Sequence, residues 1–162
     1  MEYDFKDWER PSLVECQMAL LKGAELLLLK DENGFECGYA LMLRDRAHRY
    51  ALLGWLGVYP TVRGGGIGSE FLELIKARYA KYDCVFLEVT EYPELDKARR
   101  LVEFYRRHGW QETGVPYTIG GRDTLLMHQG SAPQRTDLKA VMEAIYAPMY
   151  GPVAFRKNIG IE

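Results

Sequence analysis

The stretch Val58-Tyr59-Pro60-Thr61-Val62-Arg63-Gly64-Gly65-Gly66-Ile67-Gly68-Ser69 places four glycines in five positions, between an apolar run and the start of a helical pattern. Upstream, Tyr50–Tyr59 is apolar on both faces and reads as a buried central strand. Pro60 cannot donate to a ladder and stops it. Downstream, Ile67, Phe71, Leu74, Ile75, Tyr79 and Tyr82 recur at helical spacing. A glycine-rich turn that opens a helix presents backbone N–H groups with no side chains in front of them, which is a phosphate site. Arg63 adds a permanent cation. The plainer alternative is a turn whose glycines supply positive φ, but a simple turn rarely needs four of them and a helix opening. No lysine follows as a P-loop requires, and the glycine spacing misses the G-x-G-x-x-G dinucleotide fingerprint.

Working outward, Asp83–Thr90 is a second buried strand, so strand, helix and strand form a βαβ crossover with parallel strands. A helix over Asp96–His108 follows and stops at Gly109. Gln111–Ile119 and Asp123–His128 read as a closing hairpin around Gly120-Gly121. Toward the N-terminus, Ser12 and Glu15 form a capping box for a helix over 12–22, with Leu13, Cys16, Leu20 and Leu21 as its apolar stripe. Ala24–Lys30 and Phe35–Leu43 pair through Asn33-Gly34. Beyond the break at Gly130–Gln134, Thr136 is placed to cap a last helix bearing Leu138, Val141, Met142 and Ile145 and ended by Pro148. The expectation is one domain over residues 1–162, with 131–162 as a C-terminal helical extension. The fold class is α/β (α+β), a mixed and mostly antiparallel sheet with a central parallel pair and helices on both faces.

Composition narrows the function. Of 162 residues, 48% are hydrophobic and 27% charged, and the net charge of −2 provides no field for a polyanion. No nucleic-acid partner is expected. Cys16, Cys37 and Cys84 are too scattered for a disulfide framework or a zinc site, nor do His48, His108 and His128 have metal spacing. The opening MEYDFKDWERP has no signal-peptide pattern, and no apolar run approaches the ~20 residues of a membrane span. A cytoplasmic protein with no membrane partner is expected.

Arg63-Gly64-Gly65-Gly66-Ile67-Gly68 matches R-x-x-G-x-G and resembles the acetyl-CoA pyrophosphate loop of the GNAT acetyltransferase superfamily. Val58-Tyr59-Pro60 resembles its V-x-P, and Phe104-Tyr105-Arg106-Arg107-His108-Gly109-Trp110 its F-Y-x-x-x-G-[FW] motif. The element order agrees over about residues 24–128. The resemblance implies direct acetyl transfer from acetyl-CoA to a primary amine, carried by a small molecule or a peptide, and is compatible with a homodimer. Leu56, Gly57 and Val58 would meet the pantetheine arm, a backbone N–H near Val58 the thioester carbonyl, and Arg63, Gly64, Gly65, Gly66, Ile67, Gly68 and Ser69 the pyrophosphate. Two positions depart from the family pattern: Ala98 stands where an asparagine often contacts the cofactor, and Tyr50–Tyr59 lacks the carboxylate that serves some relatives as base.

By motif position Tyr105 is the general acid for the departing thiolate; the alternative is an aromatic residue filling the helix's core face. Glu88, alone within Val85-Phe86-Leu87-Glu88-Val89, is the leading base, because burial raises a carboxyl toward neutrality. Its alternative is a buried partner for Arg63 or Arg99, or simple fold-stabilising hydrogen bonding. Glu91 and a water relay are the other candidates. His108 reads as a cation at a helix C-terminus, Cys84 as apolar filler, and the Arg99-Arg100 and Arg106-Arg107 pairs as a solvated helix face, with a phosphate contact from one of the first pair as the alternative. Trp8, Tyr39, Trp55, Tyr92 and Tyr117 are candidates for an acceptor pocket. Two other classes remain open: an acyl-CoA-binding module without catalysis, and a protein-interaction domain with an incidental glycine loop.

Overall fold

The computed structural model describes residues 5–7 and 9–162. Helix α1 (Leu13–Leu21) leads into strands β1 (Glu25–Lys30), β2 (Glu36–Arg44) and β3 (Tyr50–Val58). A 3-10 turn (Pro60–Val62) and α2 (Ile67–Arg78) follow, then β4 (Cys84–Thr90) and α3 (Asp96–Arg107). The chain continues through β5 (Gln111–Glu112), β6 (Tyr117–Ile119), β7 (Arg122–Gly130), α4 (Arg135–Tyr146), α5 (Pro152–Asn158) and β8 (Ile159–Ile161). The sheet has eight strands in the order β1-β2-β3-β4-β7-β6-β8, with β5 also paired to β7. Among the described residues only β3 and β4 run parallel; every other pairing is antiparallel.

The sheet separates two apolar clusters. Phe71, Leu72, Ile75, Val102 and Tyr105 of α2 and α3 cover one face with Leu53, Leu87 and Val89. Ala19 of α1, Leu138, Met142, Ile145 and Tyr146 of α4, and Phe155 of α5 cover the other, with Leu52, Phe86 and Leu126. Burial on both faces makes β3 and β4 near-continuous apolar runs.

Four expectations need correction. Gln111–Ile119 is two strands, because Gly114 at φ +68° and Pro116 interrupt the extended run. Thr136 does not cap α4; Gln134 occupies the N-cap position and Thr136 lies inside the helix. In α1 the capping box forms, but Leu13 and Leu21 are 73% and 82% exposed and only Ala19 is buried. The helix is apolar nearly all round, so periodicity did not select a face, and small Ala19 makes the close approach to Ala24 and Leu41.

Finally, residues 131–162 are not helical throughout: β8 pairs with β6 through Ile159↔Ile119 and Ile161↔Tyr117. This segment is built into the core, where Phe155 is fully buried. Phe155→Ala should cost about 3–5 kcal/mol through lost burial and a cavity, read as a lower denaturant midpoint. An unchanged midpoint would mean that α5 contributes nothing to the fold.

Candidate active site

β3 and β4 pair only from Tyr50↔Cys84 to Leu53↔Leu87. Beyond that point Gly54–Val58 and Glu88–Thr90 have no mutual register, and the sheet opens between them. The opening holds a cleft of about 490 Å³ lined by Leu53, Leu56, Val58, Gly68, Glu88, Glu91, Ala98 and Tyr105, among others. It lies on the α2–α3 side. A second cleft of about 380 Å³ opens on the α4 side, lined by Glu9, Glu15, Trp55, Glu88, Arg122, Tyr146 and Tyr150 among others. Phe5, Glu9, Gly54, Glu88 and Thr90 border both.

At one end of the first cleft stands the glycine loop. Gly64 and Gly66 sit at φ +94° and +79°, in the left-handed region where glycine is favoured. A Cβ placed on Gly64, Gly65 or Gly66 would meet nothing within 4 Å, so the space in front of the loop is open. The first intrahelical bond of α2 is Glu70 N to Gly66 O at 3.0 Å. The N–H groups of Ile67, Gly68 and Ser69 therefore have no acceptor within their own helix. Arg63 is held over the strand end by its Nε, which donates to the Val58 carbonyl at 2.9 Å. A diphosphate fits this surface: open backbone donors, a helix N-terminus and a guanidinium. Leu56 and Val58 face the cleft, whereas Gly57 packs against Tyr39, whose ring atoms lie 2.5–2.6 Å from where a Cβ would stand.

Glu88 is the junction of the two clefts. Tyr146 donates its hydroxyl to Glu88 Oε2 at 2.7 Å, and Tyr117 donates to Oε1. Burial pushes the carboxyl up to about 7, against the pull of the two hydroxyls. Tyr117 and Tyr146 are held far above their usual range, by burial first and then by the Glu88 charge, so both stay protonated donors. The expected arginine partners are not there: Arg99 bonds the Pro93 carbonyl and Asp96, and Arg63 the end of β3. Arg99 is thereby committed to its own helix start.

Tyr105 is buried, packs edge-on against Trp110, and lines the first cleft. Burial raises its phenol above the usual value, so it carries its proton throughout the neutral range. Glu91 also lines this cleft, at φ +57°, with its carboxylate on Lys6 Nζ at 2.5 Å. Ala98 lines the cleft at the position of the missing asparagine. Burial pushes the Cys84 thiol up to about 12, as befits core filler. Among the described residues no group of His, Cys, Asp and Glu could hold a metal, and no helix is long and apolar enough to cross a membrane.

Of the acceptor-pocket aromatics, Trp55 lines the second cleft and Tyr117 reaches Glu88. Tyr39 lies under Gly57 and Tyr92 packs against the α2–α3 core, while Trp8 lies outside the described residues. Tyr146, Tyr150, Glu9 and Glu15 were not anticipated. They come from opposite ends of the chain, and no local motif marks them as a site, Glu15 being legible only as the capping-box partner of Ser12.

Residues 22–112 match the family model described as an acetyltransferase (GNAT) domain. No curated protein matches the chain. Among solved structures, a protein from Bacteroides thetaiotaomicron assigned to the GNAT acetyltransferases superposes with a TM-score of 0.77 at 20% identity, over 92% of this chain and 86% of that one. The spermidine/spermine N-acetyltransferase of Vibrio cholerae gives 0.54 at 14% identity, over 65% and 64%. The ribosomal-protein-S18-alanine N-acetyltransferase of Escherichia coli gives 0.53 at 16%, over 68% and 72%.

Proposed function

The chain belongs to the GNAT acetyltransferase family, and from that premise we propose that it moves an acetyl group from acetyl-CoA directly to a primary amine. The observation that carries this reading is the opening of the sheet after Leu53↔Leu87, with Glu88 facing both clefts. The pantetheine arm belongs beside Leu56 and Val58 and the pyrophosphate on Gly64–Ser69. The amine belongs in the second cleft. Its carboxylates Glu9, Glu15 and Glu88 and its rings Trp55, Tyr146 and Tyr150 suit an ammonium ion. The structural neighbours named for spermidine/spermine and for a ribosomal protein's alanine suggest the range of acceptors to try.

The thioester supplies an activated acetyl group and a thiol leaving group; the rest falls to this chain. Glu88, poised near neutrality, takes the proton that the ammonium must lose before its nitrogen can attack. A backbone N–H near Val58 holds the carbonyl oxygen as charge builds there. Tyr105 gives its proton to the sulfur as the C–S bond breaks.

Thiol release from acetyl-CoA across a panel of polyamines, monoamines and peptides is the direct test. Release that depends on one class supports the transferase. Calorimetric binding of coenzyme A with no release across the panel favours the acyl-CoA-binding module, the reading suggested by Ala98 and the carboxylate-free β3.

Tyr105→Phe keeps the buried ring and removes one hydroxyl, so stability should change by no more than about 1 kcal/mol. Single-turnover acetyl transfer should fall about 100-fold. An unchanged single-turnover rate would leave Tyr105 a packing residue.

A further inference from the structure

His108, the residue that ends α3, reaches across to α2 and touches two of its side chains. Its Nε2 lies 3.0 Å from Ser69 Oγ and its Nδ1 3.1 Å from Glu73 Oε1. The Phe104 ring packs on it with centroids 4.8 Å apart. Of the charged groups nearby, Lys76 on α2 bonds Glu73 Oε1 at 3.0 Å and the His108 carbonyl at 3.2 Å. On α3, Arg106 is taken up by Glu103 and by Glu112 of β5, and Arg107 adjoins His108 in the chain. From β7, the neutral Gln129 side chain approaches Gly109. The ring thus stands between the Glu73 carboxylate and the cations Lys76 and Arg107.

The number of protons on the ring decides which way the Ser69 hydroxyl points. Glu73 only accepts, so Nδ1 carries a hydrogen toward it. When the ring is neutral, Nε2 is a lone pair and Ser69 donates its one proton to it. The oxygen then offers the glycine loop only lone pairs, which repel a phosphate. When the ring is charged, Nε2–H donates to Oγ, and the hydroxyl proton is released to donate toward the loop. Ser69 is one of the α2 opening residues whose N–H has no intrahelical partner, so its side chain and backbone belong to the same helix N-terminus.

We propose that His108 is a positioning residue for the donor site: its charged ring turns the Ser69 hydroxyl into a phosphate donor, so that coenzyme A binds with uptake of a proton. This rests on the assignment of Gly64–Ser69 to the pyrophosphate. Donor binding is then favoured on the acidic side, while Glu88 must be ionised to act as base, and the two requirements oppose each other across neutral pH.

The test is calorimetry of coenzyme A with the full chain between pH 6 and 8.5, in buffers of differing ionisation enthalpy. For the parent, affinity should fall by up to about tenfold per pH unit where His108 gives up its proton, with matching proton uptake. The ligand's own phosphates titrate too, but equally for all variants. His108→Gln, which cannot charge, should lose the protein's share of both slope and uptake. Ser69→Ala, at a helix position that tolerates alanine, should lose them as well. His108→Gln with the parent's slope and uptake overturns the proposal. So does Ser69→Ala with the parent's slope, since the ring would then act through space and not through the hydroxyl. A folded parent that binds no coenzyme A removes the loop assignment itself, a failure distinct from binding without proton linkage.

Discussion

Replacing Gly66 with aspartate should abolish coenzyme A binding in a protein that folds as well as the parent. Gly66 is the N-cap of α2 in the left-handed region at φ +79°, where aspartate is among the better tolerated residues. A Cβ there meets nothing within 4 Å. An aspartate at an N-cap also accepts from the free N–H groups of the first turn, which stabilises the helix. The substitution thus places a negative charge where the proposed diphosphate would lie and occupies its donors. Two like charges about 4 Å apart repel by about 4 kcal/mol at an effective dielectric near 20, a loss of 100-fold or more in affinity. Gly66→Ala, with similar backbone strain and no charge, should bind far better than Gly66→Asp. Parent-like calorimetry for a folded Gly66→Asp would move the phosphates elsewhere.

Glu88→Gln should lower kcat/KM by about 100-fold or more and remove an acidic limb centred near the carboxyl's value of about 7. Coenzyme A affinity should stay close to the parent's, since the carboxyl is not part of the loop. Superimposable acidic limbs for the two proteins would transfer the role to Glu91 or to water. Stability gives an independent reading. The folded carboxyl titrates higher than an unfolded one near 4.5, so the native state holds its proton more tightly. Stability is then greatest below about 4.5 for this group and declines as pH rises through about 7. Glutamine stands in for the protonated form, so Glu88→Gln should flatten that decline and melt higher than the parent above pH 7. A variant that melts lower at every pH would show that the carboxylate's bonds to Tyr117 and Tyr146 stabilise the fold instead.

What could be read from the chain alone followed from local chemistry. Four crowded glycines after a strand identified the loop, the apolar runs on either side of α2 identified the parallel pair, and a lone carboxylate in an apolar strand marked Glu88. The partners of Glu88 were hidden because they lie 29 and 58 residues away, at Tyr117 and Tyr146, on elements with no motif. Arginine partners and plain hydrogen bonding were both open for a buried carboxylate; two phenols serve, and they leave it uncharged more readily. The strand β8 was hidden for a related reason. Ile159-Gly160-Ile161 is too short to show alternation, and it becomes a strand only because β6 offers a free edge. In α1, composition overwhelmed periodicity: with apolar residues nearly all round, only packing could choose Ala19.

The parting of β3 from β4 gives the molecule two doorways, one on each side of its sheet, meeting at a shared wall that holds the carboxylates of Glu9 and Glu88. In the proposed reaction the spent thiol would leave past Val58 and Gly68 and the acylated amine past Trp55 and Tyr150, by different doorways. Inhibitors that keep to the unshared walls of the two clefts would accordingly not displace each other, and a molecule long enough to pass Glu88 would block both.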